Sequence, residues 1–357
     1  WSNGGQAVIE WLQTNDGGYF NRDKVAFRDG GMFALKDIDE GEVVMIVPPS
    51  ALLGPREVDI DEEDYEWSFC ATARRLVHEY AVLGEDSSEY WPYVRYLFED
   101  TPHGELPVAW SWDGKDLIAE VVGEDLEPQE FGSGSYALVC GDGEEDEEEG
   151  EEGEESEQNW QREAALLEAA RRIVLSRGWH RIMVPVFDMV NHRNGAWRNV
   201  DRDTAAGMNL DIDGDYRIVA LRKISAGSQL HNSYNQCVDL TCHDISQSYV
   251  TSHIFSDYGF VEQHPRRFAF YTGYDDDEEL GMVFEIDTVQ EEAAGEKVNW
   301  LTGHPNAEQV AWLEAQWKRL KGTAFSRSIA ERAQQLNSSE AAAVMEYYQA
   351  LTGALER

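Results

Sequence analysis

Three polar side chains of different chemistry stand at the end of an apolar segment near the middle of the chain. In the stretch FDMVNHRNG, residues 187–195, Asp188 interrupts the hydrophobic run and Asn191 and His192 follow it. An acid, an amide and an imidazole lose their hydrogen bonds to water when they are buried, and that loss costs free energy. We therefore expect these side chains either to satisfy one another in a structural network or to hold a ligand.

The composition indicates a folded globular protein that carries a strong negative charge. Hydrophobic residues make up 42% of the 357 residues, and the formal net charge is −40. Such a chain can build a sizeable core in one large domain or in two. The excess of negative charge repels phosphates, which excludes direct binding to nucleic acids and favours a basic protein partner.

Part of this charge is concentrated in one low-complexity run, residues 142–157, which holds 12 acids and no base. A segment of this kind buries too little apolar surface to fold, so we predict a solvated, disordered loop. The same run is the single feature that would suggest an acidic histone chaperone.

Cysteine usage and hydropathy bear on the compartment. The cysteines are Cys70, Cys140, Cys237 and Cys242. Their spacing is not typical of a disulfide framework, so we expect an intracellular, reducing compartment, and cytoplasm, nucleus and plastid all fit. The chain starts without Met, so a targeting peptide is not excluded. No apolar run approaches the roughly 20 residues of a membrane span, so we expect no membrane partner, and we expect a monomer.

A group of potential metal ligands lies within 13 residues of one another. It contains His231, Cys237, Cys242 and His243. Zinc sites favour closely spaced cysteine pairs that are matched by a second pair. The spacing here differs, so we predict a loop with incidental Cys and His residues and no metal.

Apolar periodicity and turn signals predict sheets at two places, with helices between and after them. The predicted strands lie within residues 25–54, 182–190, 207–213 and 216–221. The predicted helices cover residues 65–83 and 163–176, the stretch from about 300, and a last helix at 341–355. A strand–turn–strand pattern at 36–44 is echoed at 223–230. The regular alternation and the Gly-x-Gly-x-x-Gly segment of a doubly wound nucleotide-binding fold are not found.

Four separated segments resemble the SET-domain protein methyltransferases, and they occur in that family's order. The similarity points to the branch of the plant Rubisco lysine methyltransferase and the actin histidine methyltransferase. The segments are DGGMFALKDIDEGEVVMIVP (29–48), YWPYVRYLFEDTPHGELPVAWSWDGKDL (90–117), VLSRGWHRIMVPVFDMVNHRNG (174–195), and QLHNSYNQ (229–236) with IFSDYGFVEQHPRR (254–267).

The resemblance implies an α+β fold of the SET type, with small β-sheets, a pseudoknot, a helical insert and a C-terminal helical region. It predicts a SET domain over residues 1–267, interrupted by the helical insert at about 60–175. A helical substrate-docking region would follow over residues 268–357. It also implies an enzyme that transfers a methyl group from S-adenosyl-L-methionine to a side chain of a protein substrate.

The resemblance assigns the cofactor to two parts of the chain. Gly31, Met32 and Phe33 would offer backbone groups, and glycine permits a close approach. Arg177 would bind the cofactor carboxylate through its guanidinium. The first glycine of the family pattern is replaced by Asp29, which is a departure from that pattern.

The signature pair Asn191 and His192 would contact the amino-acid and adenine ends of the cofactor, and Asp188 would brace this segment. Taken alone, His192 is more often a satisfied core histidine, and the surrounding pattern is what favours the cofactor role.

The resemblance also assigns the reacting end of the site. Tyr234 would be the catalytic tyrosine, orienting the acceptor nitrogen and lying against the sulfonium of the cofactor. Tyr258 and Phe260 would line the channel for the substrate. Asn235 stands where the family usually has glycine after the catalytic tyrosine, which puts the substrate in doubt more than the cofactor.

The acceptor and the activity itself remain open on sequence grounds. A lysine ammonium has a pKa of about 10.4 and must be deprotonated before it attacks, whereas a neutral histidine needs no such step. We predict a lysine methyltransferase, with a histidine methyltransferase of the same branch as the alternative. A SET-like interaction module without catalysis is the third reading.

Overall fold

The computed structural model describes residues 4–55, 65–101, 106–123, 154–179, 182–203, 214–235, 249–270, 281–288 and 296–357. The helices in these ranges are α1 (Gly4–Leu12), α2 (Tyr65–Val77), α3 (Gly84–Ser87), α4 (Trp91–Arg95), α5 (Trp112–Val122), α6 (Glu154–Arg177), α7 (Thr251–Tyr258), α8 (Ala307–Lys321), α9 (Thr323–Ala333) and α10 (Ser338–Leu355). The strands are β1 (Tyr19–Phe20), β2 (Val25–Arg28), β3 (Gly31–Ala34), β4 (Val43–Val47), β5 (Asn191–His192), β6 (Val200–Arg202), β7 (Tyr216–Ala220), β8 (His231–Asn232), β9 (Arg266–Phe270), β10 (Met282–Thr288) and β11 (Glu296–Trp300).

The chain divides into two compact units, each with a hydrophobic core of its own. The first unit comprises Trp1–His103, Ser135–Asn191 and Arg198–Asn232. The second comprises Gly104–Gly134, His192–Trp197 and Ser233–Arg357. The predicted domain limit at residue 267 and the predicted limits of the insert stay predictions.

An antiparallel sheet in the order β1-β4-β7-β6 forms the centre of the first unit. In β7, Tyr216, Ile218 and Ala220 are buried and Arg217 between them is exposed, which is the period of two that one buried face requires. The predicted strand at 216–221 is therefore confirmed, and its predicted partner at 207–213 lies outside the described residues.

The hairpin of β2 and β3 accounts for the residue that departs from the family pattern. Asp29 and Gly30 form its two-residue turn, and their φ angles are 50° and 73°. A tight turn with positive φ at both central residues suits the right-handed twist of the strands, and Asp-Gly is a favoured pair there. Asp29 therefore keeps the turn that places Gly31 at the start of β3.

The echoed segments at 36–44 and 223–230 are paired with each other. The backbone N–H of Ile38 donates to the oxygen of Ile224 at 2.9 Å, and the reverse bond is also 2.9 Å. Gly41 and Gly227 turn the chain within the two segments, with φ angles of 75° and 86°. The sequence echo thus reflects two equivalent strand–turn units of one structure.

Helices α2 and α6 pack together in the first unit, close to their predicted positions. The helix α2 continues through wider turns to Leu83, which confirms the predicted helix at 65–83. The helix α6 begins at Glu154 and so includes residues 154–157 of the acidic run, which we predicted as loop. Glutamate has good helix propensity, and acidic residues are favourable in a first helical turn. The rest of the run lies outside the described residues.

The apolar run 182–190 is not the strand that we predicted. Met183 forms a single bridge with Leu53, and the chain then turns through a 3₁₀-helix at Phe187–Met189. Pro185 cannot donate to a strand ladder, and Val186 next to it has a φ of 70°. The positive φ of a β-branched residue is strained. Burial of the run was correctly predicted, and its backbone conformation was not.

The second unit combines a three-stranded antiparallel sheet, β11-β10-β9, with helices α5 and α7–α10. We predicted a helical region from residue 268, so the sheet is a correction. Four consecutive residues of β9, Arg267–Phe270, are buried, so the strand shows no alternation and its apolar run does not distinguish strand from helix. The predicted last helix is confirmed as α10.

One arginine joins two helices of the second unit. The guanidinium of Arg319 in α8 donates to the backbone oxygens of Glu120, Val121 and Val122 at 3.0–3.2 Å. These are the last carbonyls of α5, which have no partner within their own helix. A cation near a helix C-terminus is also electrostatically favourable, so Arg319 both caps α5 and fixes α8 to it.

Cys70 in α2 takes part in a disulfide bond. We predicted no disulfide framework from the cysteine spacing, and one bonded cysteine leaves that prediction untested, because spacing along the chain does not report the distance between sulfur atoms in space. The other three cysteines lie outside the described residues. Among the described helices, none is long and apolar enough to cross a membrane.

Candidate cofactor-binding and catalytic residues

In the first unit, Asn191 is fixed against the β2–β3 hairpin. Its side-chain amide donates to the backbone oxygen of Gly30 at 3.1 Å. A Cβ atom added at Gly31 would lie 2.8 Å from that amide nitrogen and 2.4 Å from the amide nitrogen of Gln229. Glycine is therefore required at position 31 by the two amide side chains that converge on it, so the structure brings together two of the predicted cofactor residues.

We expect Gly31→Ala to weaken cofactor binding about tenfold, which corresponds to about 1.4 kcal/mol. The added methyl group would push Asn191 and Gln229 away from the hairpin. Calorimetric titration with S-adenosylhomocysteine measures the effect. Gly353→Ala is the control, because a Cβ at this position of α10 would meet nothing within 4 Å. Equal losses in the two variants would contradict the expected role of Gly31.

Met32 and Phe33, the other predicted residues of this hairpin, differ in burial. Met32 is fully buried, and its backbone oxygen accepts a hydrogen bond from the N–H of Leu230 at 2.8 Å. Phe33 is half-buried, and the guanidinium of Arg28 lies 4.6 Å from its ring centroid. The ring of Phe33 is therefore partly accessible, whereas the side chain of Met32 is not.

Asp188 and Arg177 form a buried polar cluster with Tyr93. The hydroxyl of Tyr93 donates to Asp188 Oδ2 at 3.1 Å, and Arg177 Nη1 lies 3.6 Å from the same oxygen. Arg177 Nη1 also donates to the backbone oxygen of Asp188 at 3.2 Å. Asp188 Oδ1 is buried and has no hydrogen-bond partner among the described residues. Desolvation raises the pKa of Asp188 to about 6, although Arg177 and Tyr93 oppose the shift.

This arrangement refines the predicted roles. Asp188 fixes the position of Arg177, and about one fifth of the Arg177 side-chain surface stays exposed. An arginine held in this way loses little freedom when it binds a carboxylate. Tyr93 was missed by the sequence analysis, because a tyrosine in an aromatic-rich segment is usually a core residue.

In the second unit, a buried carboxylate holds the histidine of the signature pair. Glu262 Oε2 lies 2.7 Å from His192 Nε2 and accepts from the amide of Asn194 at 3.1 Å. Its other oxygen accepts from the hydroxyl of Thr251 at 2.6 Å. The backbone N–H of Tyr234 donates to His192 Nδ1 at 2.9 Å. The predicted residues His192 and Tyr234 are therefore in direct contact.

The predicted catalytic and channel residues form one aromatic cluster. The ring of Tyr234 lies 4.6 Å from that of Tyr258 and 6.4 Å from that of Phe260, centroid to centroid. The ring of His192 is 5.2 Å from that of Tyr234. Three aromatic faces near one another can desolvate an ammonium group and attract a cation, which is the environment that the transfer of a methyl cation equivalent requires.

A second polar group lies behind this cluster. The hydroxyl of Tyr249 donates to Asp257 Oδ2 at 2.5 Å and interacts with Tyr258. Its ring stacks on His253 at 4.9 Å. Desolvation raises the pKa of Asp257 to about 6 and lowers the pKa of His253 to about 4. The side chain of Asn235, the second departure from the family pattern, is buried and donates to the backbone oxygen of Tyr249 at 3.4 Å.

Comparison with known families decides the classification. The sequence model of the SET domain family matches residues 30–235. The chain belongs to the SET domain family. The match contains strand β3 with Gly31, the signature pair Asn191–His192 and Tyr234, and it ends before Tyr258 and Glu262. The prediction of a SET-type fold with small sheets and helical regions is confirmed.

Solved structures of the same fold resemble this SET-domain chain. One, described as Rubisco LSMT bound to AdoMet, has a TM-score of 0.51 at 14% identity and covers 100% of this chain and 92% of that chain. Another, the SET domain of LSMT bound to lysine and AdoHcy, has a TM-score of 0.49 at 15% identity, covering 99% of this chain and 91% of that chain. No curated protein matched in the sequence search. At these identities the similarity concerns the fold.

The remaining site predictions separate into those that the structure describes and those that it does not. Of the four potential metal ligands, only His231 lies among the described residues, and within those residues no group of three or more His, Cys, Asp or Glu side chains is placed to hold a metal. Glu262, Asn194, Gln229 and Tyr249 were missed by the sequence analysis. The tripeptide Arg-Asn-Gly after the signature pair and the acid after Tyr-Gly-Phe-Val were visible signals, but neither indicates a partner.

Proposed function

We propose that this SET-domain protein is an S-adenosyl-L-methionine-dependent protein methyltransferase that methylates lysine side chains. The observation that carries the proposal is the contact of the signature histidine with the tyrosine cluster. His192 bonds to the backbone of Tyr234, whose ring lies against Tyr258 and Phe260. In a SET-domain chain, this is the arrangement that methyl transfer would use.

The residues present fit the cofactor. The absence of a Cβ at Gly31 lets the amides of Asn191 and Gln229 converge on the hairpin, and Arg177 presents a positioned guanidinium beside a buried carboxylate. When bound, S-adenosylmethionine supplies an activated sulfonium methyl group. Gly31, Arg177 and Asn191 are the residues of the first unit that would help to hold it.

The chain's own residues would then align the acceptor and help it to lose a proton. The hydroxyl of Tyr234 would orient the acceptor nitrogen, and alignment is most of what a displacement with an activated leaving group needs. The rings of Tyr258 and Phe260 would exclude water from the amine, which lowers the pKa of a lysine and favours the neutral form that attacks. Histidine is the alternative acceptor, because it requires no such shift.

We further propose a protein substrate that is basic around the acceptor, a monomeric enzyme and an intracellular location. The net charge of −40 supports a basic partner through electrostatic steering. The disulfide at Cys70 weighs against the reducing compartment within that proposal.

Calorimetric titration of S-adenosylmethionine tests the function. We expect saturable binding by the wild type and an affinity at least about tenfold lower in Asn191→Ala, because the amide that anchors the hairpin is lost. Asn306→Ala is the control, since Asn306 caps α8 and takes no part in the predicted site. A folded wild type that does not bind would overturn the proposal and leave a SET-like interaction module.

A further inference from the structure

Glu262 is a fully buried carboxylate whose two oxygens are both used by neighbours. One oxygen faces His192 and Asn194, and the other faces Thr251. Its exposed fraction is 0%, and that of the His192 side chain is 1%. A charge in such a place is tolerated only when hydrogen bonds satisfy it, so the position of this carboxylate is closely defined by its donors.

The hydrogen bonds of His192 determine its tautomer. A backbone N–H can only donate, so the bond from Tyr234 N to Nδ1 requires an Nδ1 that carries no proton. The proton of the neutral ring is therefore on Nε2, where it donates to Glu262. With both ring nitrogens engaged by fixed partners, the imidazole cannot turn over.

The same carboxylate anchors the chain on the far side of His192. Asn194 donates to Glu262 and accepts from the hydroxyl of Ser233 at 2.8 Å. The backbone of Glu262 is fixed in turn, because Arg266 Nε donates to its oxygen at 2.6 Å. Residues 192 and 194 are thus both tied to one carboxylate, and residues 233 and 234 are tied to them.

We infer that Glu262 is a positioning residue of the cofactor site, acting through His192 and Asn194. This inference deepens the proposed function and rests on it. Glu262 holds the His192 ring as the Nε2–H tautomer and thereby fixes the backbone that follows Asn191 and the N–H of Tyr234. It does not touch the cofactor itself.

The test compares three variants by titration with S-adenosylmethionine. Glu262→Leu removes the acceptor, and we expect the affinity to fall at least about tenfold. Glu262→Gln is expected to restore it to within about threefold of the wild type, because its amide oxygen can still accept from His192. Glu340→Leu is the matched control: Glu340 is also buried in the second unit and accepts two bonds from Ser111, and its affinity should equal that of the wild type.

A measurement of the wild type alone does not depend on the folding of any variant. Long-range ¹H–¹⁵N NMR of histidine-labelled protein reports the tautomer of each ring, and His192→Gln assigns the signal. We expect the Nε2–H tautomer for His192. Observation of the Nδ1–H tautomer, or equal affinities of Glu262→Leu and Glu340→Leu, would overturn the inference. A wild type that does not bind S-adenosylmethionine would overturn the proposed function and the inference with it, so the two failures are distinguishable.

Discussion

Tyr234→Phe is expected to lower the rate of methyl transfer by on the order of 100-fold while leaving the affinity for S-adenosylmethionine within about threefold. The substitution keeps the ring that packs on Tyr258 and the backbone N–H that bonds to His192. It removes only the hydroxyl that would orient the acceptor nitrogen. An interaction that is realised in the transition state and not in the cofactor complex changes the rate and not the binding.

Tritium transfer from labelled S-adenosylmethionine to a library of lysine- and histidine-containing peptides measures this rate. Tyr80→Phe is the control, because Tyr80 lies in the first unit and its hydroxyl bonds to Glu99 at 3.3 Å on the surface. Loss of cofactor affinity in Tyr234→Phe would show that the hydroxyl serves binding. Undiminished transfer would remove Tyr234 from the catalytic role. Incorporation into lysine rather than histidine peptides would decide the acceptor.

The site residues that the sequence predicted are those that share a short segment with a family pattern. Asn191, His192, Tyr234, Tyr258 and Phe260 were named from four ordered segments, and the structure places the last four in one cluster. Strand β4 lies within the stretch 25–54 that we predicted to contain strands, because the run VVMIV is bounded by turn residues and rich in β-branched side chains.

The partners of these residues are distant in the sequence and carry no local signal. Glu262 is 70 residues from His192, and Tyr93 is 95 residues from Asp188. A buried acid looks the same as a surface acid in a sequence, because what distinguishes them is the set of donors that the fold collects around them. The conformation of residues 182–190 was missed for a related reason: periodicity reports burial, and Pro185 and Val186 determined the backbone.

In the wild type, we expect the free energy of unfolding to fall by about 3 kcal/mol as the pH rises from about 4 to above 6. We expect Asp188→Asn to abolish this fall. The pKa of Asp188 is about 6 in the folded protein, against 3.8 for an exposed aspartate. Between these values the unfolded chain has released the proton and the folded protein retains it. The free energy of unfolding therefore falls with rising pH in this window and is constant above it, whereas asparagine does not titrate.

The measurement is denaturant unfolding of wild type and variant at several pH values. Because the sequence pI is about 4.4 and solubility is lowest there, pH 5 to 7.5 is the practical range, and about 1.4 kcal/mol of the decrease falls within it. His253 raises the free energy of unfolding as the pH increases, since its pKa is lowered to about 4. Asp257 lowers it as the pH increases, since its pKa is raised to about 6. Both are present in each protein, so they cancel in the difference between the two curves.

Asp23→Asn, at an exposed position in the first unit, is the control and should give a curve parallel to that of the wild type. A parallel curve for Asp188→Asn as well would mean that Asp188 titrates alike in the folded and unfolded states, which contradicts its burial beside Arg177.

If the two curves differ, the result also supports a role for Asp188 in the candidate site. Above pH 6 the protein retains a buried carboxylate at a cost in stability, and the guanidinium of Arg177 is held in place by it. A buried carboxylate that holds an arginine at a cost in stability supports the proposed role of Arg177 in binding a carboxylate-bearing ligand.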